Sequence, residues 1–429
     1  MTDVSLKVKE HYGDEDRVFS FPDKWEIDIL KMNNHDAPSL TKEEIDDALN
    51  HPIGTETIAE LAKGKRGRIC IIHDDLTRPT PAYQIVPSII DQLHQAGVTD
   101  DQIIFLSALG THPPMNIEAF GRKLGYDILR KYRIRNHVFF DSRRLGTHNF
   151  VDKGFTSYGT PVTVNRVFAE ADLRIGISGL IKKGLGCGGG GKICMPGVAS
   201  LEAIAYNHTQ LGYVRSTRPG ATGYWNFQHG VSRKDMQEFA RKAGLDVSIN
   251  VLPSGRREAA GVFAGDVDEA YMAGVKECYK AHSTIIPNKK YDIIVSDSYP
   301  QAGSEGLRWC DGANEILRDG GSAVNICISV PDGYYLTHYT DEAVRGALIK
   351  FITGYSAKQW PVKQAGQAIV LDNLMDMHER MQFDPRVEFY DDWEKVSERL
   401  VEKYPDHATV AIFPTAAFQF NPEQYPLII

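Results

Sequence analysis

GLIKKGLGCGGGGKICMPGVASLEAIAYNH, residues 179–208, follows directly on an apolar, strand-like run at 173–177. Within it Gly188, Gly189, Gly190 and Gly191 stand in a row before Lys192. Four consecutive glycines forgo all side-chain packing and cost backbone entropy, so they mark a backbone that must approach something closely. Order then returns. Pro196 and Gly197 make a turn, Ser200 is a good N-cap, and 201–206 reads as a helix carrying His208 at or just past its end. A lysine leaving a glycine bed and a histidine one short helix later can face one ligand.

A phosphate-binding loop is one reading, because Gly186 to Lys192 satisfies G-x-x-x-x-G-K. Ile193 stands where that loop needs a hydroxyl for magnesium, and Pro196 would break the helix that should begin there. A flexible glycine linker is another, but it leaves the strand before and the capped helix after unexplained.

Working outward, 68–72 is a compact β-run, the polar stretch 73–81 follows it, and a helix is expected over 81–96 with Gly97 as its stop. A second strand is expected at 103–109, with Thr111 and His112 just beyond it, and further strands at 138–140 and 169–179. Thr41 with Glu44 offers a capping box for an earlier helix. Three strand ends thus deliver Asp75 with Arg78, His112, and Lys192, and open α/β sheets bind ligands outside the carboxyl ends of their strands. The irregular, aromatic stretch 211–257, with a helix over 234–243, is expected to serve as a lid or subunit contact, which would make the chain a homo-oligomer. A connecting helix is expected over 265–281. A fresh α/β pattern starts at 291–296, with helices expected at 303–317, 341–353 and 391–404 and strands at 322–328, 367–371 and 409–413.

The expected fold is therefore α/β, two domains with mostly parallel sheets and an active site in the cleft between them. The first spans 1–270 and carries catalysis and cofactor; the second, smaller one spans 285–404. A chain of 429 residues, 42% of them hydrophobic, can bury a sizeable core in each. A net charge of −8 without a dense Lys/Arg block speaks against nucleic acid, so a small anionic substrate must be held by local cations such as Arg78. Neither a signal-like opening nor an apolar run of membrane length stands out, which points to the cytoplasm. Six cysteines, at 70, 187, 194, 278, 310 and 327, form no C-x-x-C pair and read as reduced thiols.

Three blocks together resemble the nickel-pincer lactate racemase family. They are the G-G-x-K of the glycine loop followed by Asn207-His208, the D-D-x-T-R-P-T of Asp74 to Thr80, and the A-L-G-T-H of Ala108 to His112, in the family's order and at similar separations. The resemblance implies a racemase or epimerase of a 2-hydroxy acid that works through a nickel-bearing pyridinium nucleotide supplied by cofactor-building enzymes. It implies that Lys192 carries this group, that Gly189, Gly190, Gly191 and Thr77 help bind it, and that His208 ligates the nickel. It also implies that His112 is one of two proton-transferring bases, that Arg78 clamps the substrate carboxylate, that Asp75 orients Arg78 or contacts the cofactor, and that 405–429 packs back on the first domain. The chain departs from the family twice. Lys182 stands where the second histidine is expected, with His148 as the other candidate base. Near Tyr299-Pro300 the family's Gln/Lys pair is missing and Arg308, Trp309 and Asp311 stand there, so a substrate other than lactate is expected. A non-catalytic holder of the cofactor and a nucleotide-binding enzyme using the glycine loop are the alternatives.

Overall fold

The computed structural model describes residues 1–8, 14–140, 148–182, 186–213, 225–301, 307–328, 360–372, 380 and 383–429; the expected helix 341–353 and Lys183 lie outside them. Numbered along the chain, the strands begin with β1 (Thr2–Val8), β2 (Glu15–Phe21) and β3 (Glu26–Ile29). Next come β4 (Ile69–His73), β5 (Ile103–Ser107), β6 (Arg133–Asn136), β7 (Phe150–Phe155), β8 (Pro161–Asn165), β9 (Leu173–Gly179), β10 (Val247–Pro253) and β11 (Ala259–Gly265). The last are β12 (Tyr291–Asp297), β13 (Leu317–Cys327), β14 (Gln367–Asp372), β15 (Glu388–Tyr390) and β16 (Thr409–Phe413).

These strands belong to two compact units. One unit, Ala37–Lys280 with Pro426–Ile429, holds a six-stranded sheet in the order β11-β10-β9-β4-β5-β6. All its pairings are parallel except β10 with β11. Every residue of β4 and β5 is buried, which is why both read as unbroken apolar runs: a parallel strand is covered on both faces. From β4 the chain adds β5 and β6 on one side, returns through the antiparallel β7-β8 hairpin, and lays β9 and β10 on the other. Strand order reverses between β4 and β9, so the crevice at their carboxyl ends is where a doubly wound sheet receives a ligand. The capping box of Thr41 with Glu44 starts the helix Lys42–Asn50, and the expected helices over 81–96, 234–243 and 265–281 are found at Ala82–Gln95, Val231–Ala243 and Glu269–His282.

The other unit, Met1–Asp36 with Ala281–Tyr425, holds the all-parallel sheet β15-β14-β13-β12-β16-β3. The antiparallel pair β1-β2 buries Val4, Leu6, Phe19 and Phe21 in the same core as Ile293, Val324 and Ile412. The partition differs from the expected 1–270 and 285–404. The opening strands belong with the later part of the chain because β3 pairs in parallel with β16, and β16 itself lies between β12 and β3. Of the closing residues only Pro426–Ile429 joins the first unit, where Ile428 donates to the Trp225 carbonyl at 2.9 Å.

Three stretches were placed wrongly by pattern: the one expected to be irregular, 211–257, contains β10, which is buried throughout and pairs with β9 and β11. In the described part of the expected helix 303–317, residues 307–312 are irregular; Gly312, at φ 95°, turns the chain into a 3-10 turn, Ala313–Ile316, that feeds β13. The strand expected at 138–140 is β6, a few residues earlier, because its register with β5 ends at Ser107 opposite Asn136. Among the described residues no helix is long and apolar enough to cross a membrane.

Candidate active site

The chain leaves β4 at His73 and makes a tight loop through Thr80. Asp75 shapes it, taking the Thr77 amide at 2.7 Å and the Thr77 hydroxyl on one oxygen. A buried ion pair pins the rest. Lys123, in the helix Ile117–Leu124, meets Asp74 Oδ1 at 2.6 Å and donates to the Arg78 carbonyl at 2.9 Å and the Thr80 carbonyl at 3.0 Å. The other Asp74 oxygen takes the Thr80 hydroxyl at 2.6 Å and the Gly179 amide at 3.2 Å, so one pair ties the loop after β4 to the end of β9. Burial pushes the Asp74 carboxyl up and the Lys123 ammonium down, each partly countered by the other's charge. No motif singled out Lys123, whose neighbours in sequence look like any helix end.

Past β5 the chain turns at Gly110, at φ 59°, where the Gly110 amide donates to the Gly197 carbonyl at 2.9 Å and so couples this turn to the one after the glycine loop. The turn delivers His112. Its Nδ1 meets the second Asp75 oxygen at 2.7 Å. Burial pushes the Asp75 carboxyl up, but the neighbouring His112, with Arg78 beyond it, outweighs burial and holds the carboxyl well below the usual carboxylate range. With Nδ1 engaged, Nε2 is the nitrogen left to meet a ligand. One Asp75 oxygen thus faces Thr77 and the other His112. Arg78 is half-buried and donates through Nη1 to the Thr77 hydroxyl at 2.8 Å.

The glycine loop is pressed against the protein's own chain. A methyl on Gly188 would sit 2.5 Å from the Gly179 carbonyl, one on Gly190 2.7 Å from the Tyr271 ring, and one on Gly191 2.3 Å from the Met236 carbonyl. Its amides are also occupied: Gly188 donates to the Ile181 carbonyl at 2.7 Å, Gly190 to Asn250 Oδ1 at 2.6 Å and Gly191 to Gln237 Oε1 at 2.5 Å. A phosphate cradle needs those amides pointing outward, so the nucleotide reading loses its footing. The loop instead presents Lys192, half-buried, at its end. Asp74, Asp75, Arg78, His112, Ser178, Gly188, Gly189 and Lys192 line one recess at the β4-β9 reversal, with a volume of about 60 Å³. A water needs roughly 10–15 Å³ by the same measure, so the recess admits a molecule of a few heavy atoms. Gly190 and Gly191 face Tyr271 and the helix Val231–Ala243 and are not among the residues that line the recess.

Ser200 caps the helix Leu201–Ala205, which continues as a π-helical turn, Tyr206–Tyr213, containing the half-buried His208. Lys182 is buried at 8% exposure next to Ile181, which lines the recess, but is not itself among the lining residues. His148 is exposed, and the guanidinium of Arg166 donates to its carbonyl at 2.8 Å. Arg308 and Trp309 belong to the other unit, where the Arg308 amide donates to the Ser298 hydroxyl at 2.9 Å and Trp309 packs on the core around Tyr291.

Known proteins resemble this chain in sequence and in fold. Residues 12–218 match the family described as the lactate racemase N-terminal domain. A lactate racemase of Lactiplantibacillus plantarum is 32% identical over 291 residues, 66% of this chain and 65% of that protein, so the match spans just under two thirds of that relative. A lactate racemase of Thermoanaerobacterium thermosaccharolyticum is 26% identical over 331 residues, 75% of this chain and 74% of that one. The fold is that of the lactate racemase apoprotein from Thermoanaerobacterium thermosaccharolyticum, with a TM-score of 0.67 at 21% identity over 97% of this chain and 99% of that one. The Asp74 to Thr80 loop, the His112 turn, Lys192 and His208 all lie inside 12–218, the part of the chain that matches the lactate racemase N-terminal domain.

Proposed function

We propose that this protein is an isomerase that interconverts the configurations of a small 2-hydroxy acid at its hydroxyl-bearing carbon. The observation that carries the proposal is the Asp75-His112 pair at 2.7 Å on a recess that Arg78 and Lys192 also line. Arg78 binds the substrate carboxylate, whose geometry its planar fork matches. His112 takes the hydroxyl proton at Nε2, and ionised Asp75 holds the ring in place and stabilises the imidazolium that forms. Lys182 remains the candidate for the opposite proton transfer, reached through the segment that Ile181 brings to the recess.

The donor set fits a nickel-pincer nucleotide. Lys192 offers an amine to tether it and His208 one imidazole to its metal, and such a group brings its own carbon and sulfur donors, a combination that suits nickel. When bound, it would supply a reversible hydride acceptor for the carbon that loses its configuration. The absence of the family's Gln/Lys pair near Tyr299-Pro300 supports a substrate other than lactate.

The test is to produce the protein beside cofactor-building enzymes, verify nickel and a Lys192 adduct by metal analysis and peptide mass, and follow single enantiomers of a 2-hydroxy acid panel, lactate included, by chiral chromatography. Conversion of at least one acid to its stereoisomer is expected. Fully loaded protein that leaves every acid unchanged would sink the isomerase and leave a holder of the cofactor.

A further inference from the structure

The residues flanking Lys192 and His208 are bonded to one helix, Val231–Ala243. On the His208 side, the fully buried Asn207 donates Nδ2 to Asp235 Oδ2 at 2.6 Å and to the Ser232 carbonyl at 3.2 Å, and its Oδ1 accepts the Ser232 hydroxyl at 3.1 Å. Asp235 is itself held from outside the helix by the Thr156 and Thr160 hydroxyls at 2.5 and 2.8 Å. On the Lys192 side, Gln237 Oε1 takes the Gly191 amide at 2.5 Å while its Nε2 donates to the Val267 carbonyl and Asp268 Oδ1, each at 2.8 Å. Arg233, stacked 4.1 Å from the centroid of the Tyr271 ring, donates to the Gly189 carbonyl at 2.5 Å. Asp235 and Gln237 are two residues apart, about 3 Å along a helix axis, and a helix does not stretch.

We propose that the helix Val231–Ala243 is the gauge that sets the separation of Lys192 and His208, with Asn207, Asp235 and Gln237 as its positioning residues. The proposal rests on the roles given to Lys192 and His208 above. A tether and a metal ligand that serve the same bound group must hold their separation to a fraction of an ångström, and two loops anchored independently would not. Here the glycine loop meets the helix backbone too closely for even a methyl at Gly191, and Asn207 has its donor and acceptor sides both committed to the helix. Outer contacts of this kind commonly change metal affinity roughly 10–100-fold when lost.

The experiment compares wild type, Asn207→Asp, the exchanged pair Asn207→Asp with Asp235→Asn, and Gln237→Leu, all made beside cofactor-building enzymes. In each, peptide mass gives the fraction of Lys192 modified, metal analysis gives nickel per modified chain, and chelator challenge gives the rate of nickel loss. Asn207→Asp sets two carboxylates against each other; it should keep the Lys192 adduct but lose nickel at least ~10-fold faster. The exchanged pair restores one donor facing one acceptor and should recover most of the retention. Gln237→Leu should lower the modified fraction while nickel per modified chain stays at the wild-type value. A merely structural role would move melting temperature, adduct and nickel together. Nickel held by Asn207→Asp at the wild-type rate overturns the gauge and leaves the Lys192 and His208 roles standing. A wild type with neither adduct nor nickel removes those roles and the gauge with them.

Discussion

A lysine with no side-chain exposure, Lys123, spends all three of its protons on Asp74, Arg78 and Thr80, and the loop that carries the site's chemistry is built around it. Breaking a buried pair leaves an uncompensated charge, so Lys123→Met should destabilise the fold by about 3–5 kcal/mol in urea unfolding. Adding Asp74→Asn should return most of that. Asp75→Asn acts elsewhere: it keeps the loop's shape but loses the charge opposite His112. We expect kcat to fall at least ~100-fold with KM little changed, in steady-state racemisation of whichever acid the panel identifies. Arg78→Lys should do the reverse, raising KM roughly ten- to a hundredfold, because a point charge replaces a fork. The motif residues Arg78 and His112 were legible in the sequence because their chemistry needs those side chains at those strand ends. Lys123 and the orientation of Asp75 toward His112 were not, because both depend on which helix and which turn the fold lays against the loop.

Among the elements, the glycine run was correctly read as a close approach, and what it approaches is the protein itself. Gly191→Ala places a methyl against the Met236 backbone, which cannot move aside cheaply, so it should cost about 1–3 kcal/mol, measured as a lowered melting temperature. Gly97→Ala, with open space around the added carbon, loses only the ease of a positive φ. Three strands of the first sheet, β4, β5 and β9, were recoverable from sequence because burial leaves an unbroken apolar signature, whereas β10, equally buried, lay inside the stretch read as irregular, and β11 was not foreseen. The order of the strands was not recoverable, since nothing in a buried run names its neighbour. The reversal between β4 and β9 that creates the recess therefore became visible only in the fold. The failed helix at 303–317 has a similar origin: the backbone groups of Arg308 and Asp311 bond Ser298, Asn325, Gln419 and Asn421, residues outside that stretch, instead of a helical turn.

At the scale of the molecule, two buried histidines set how the fold meets acid. His137 donates to the Ala199 carbonyl at 3.1 Å and accepts from Asn165 at 3.0 Å, an arrangement only the neutral ring can make, and burial pushes it down to about 4. His73, buried at the end of β4, is likewise pushed down to about 4, mainly by burial. An unfolded histidine titrates near 6.5, so between 6.5 and 4 the unfolded chain binds protons that the folded one does not, and stability is full above this window and drains as pH falls through it. Each ring accounts for about 1.4 kcal/mol per pH unit there. Urea midpoints should fall steadily from pH 6.5 to 4, and His137→Gln, weaker at neutrality, should show a shallower fall. The pairing of β3 with β16 bears on synthesis as well. The ribosome delivers β3 some 380 residues before its partner, an interval on the order of 20–80 s at roughly 5–20 residues per second. Ala37–Lys280 emerges within that interval with its own sheet complete, while the opening strands wait for a place in theirs. A nascent chain stalled before Thr409 should therefore resist protease across 37–280 and be cut within 1–36.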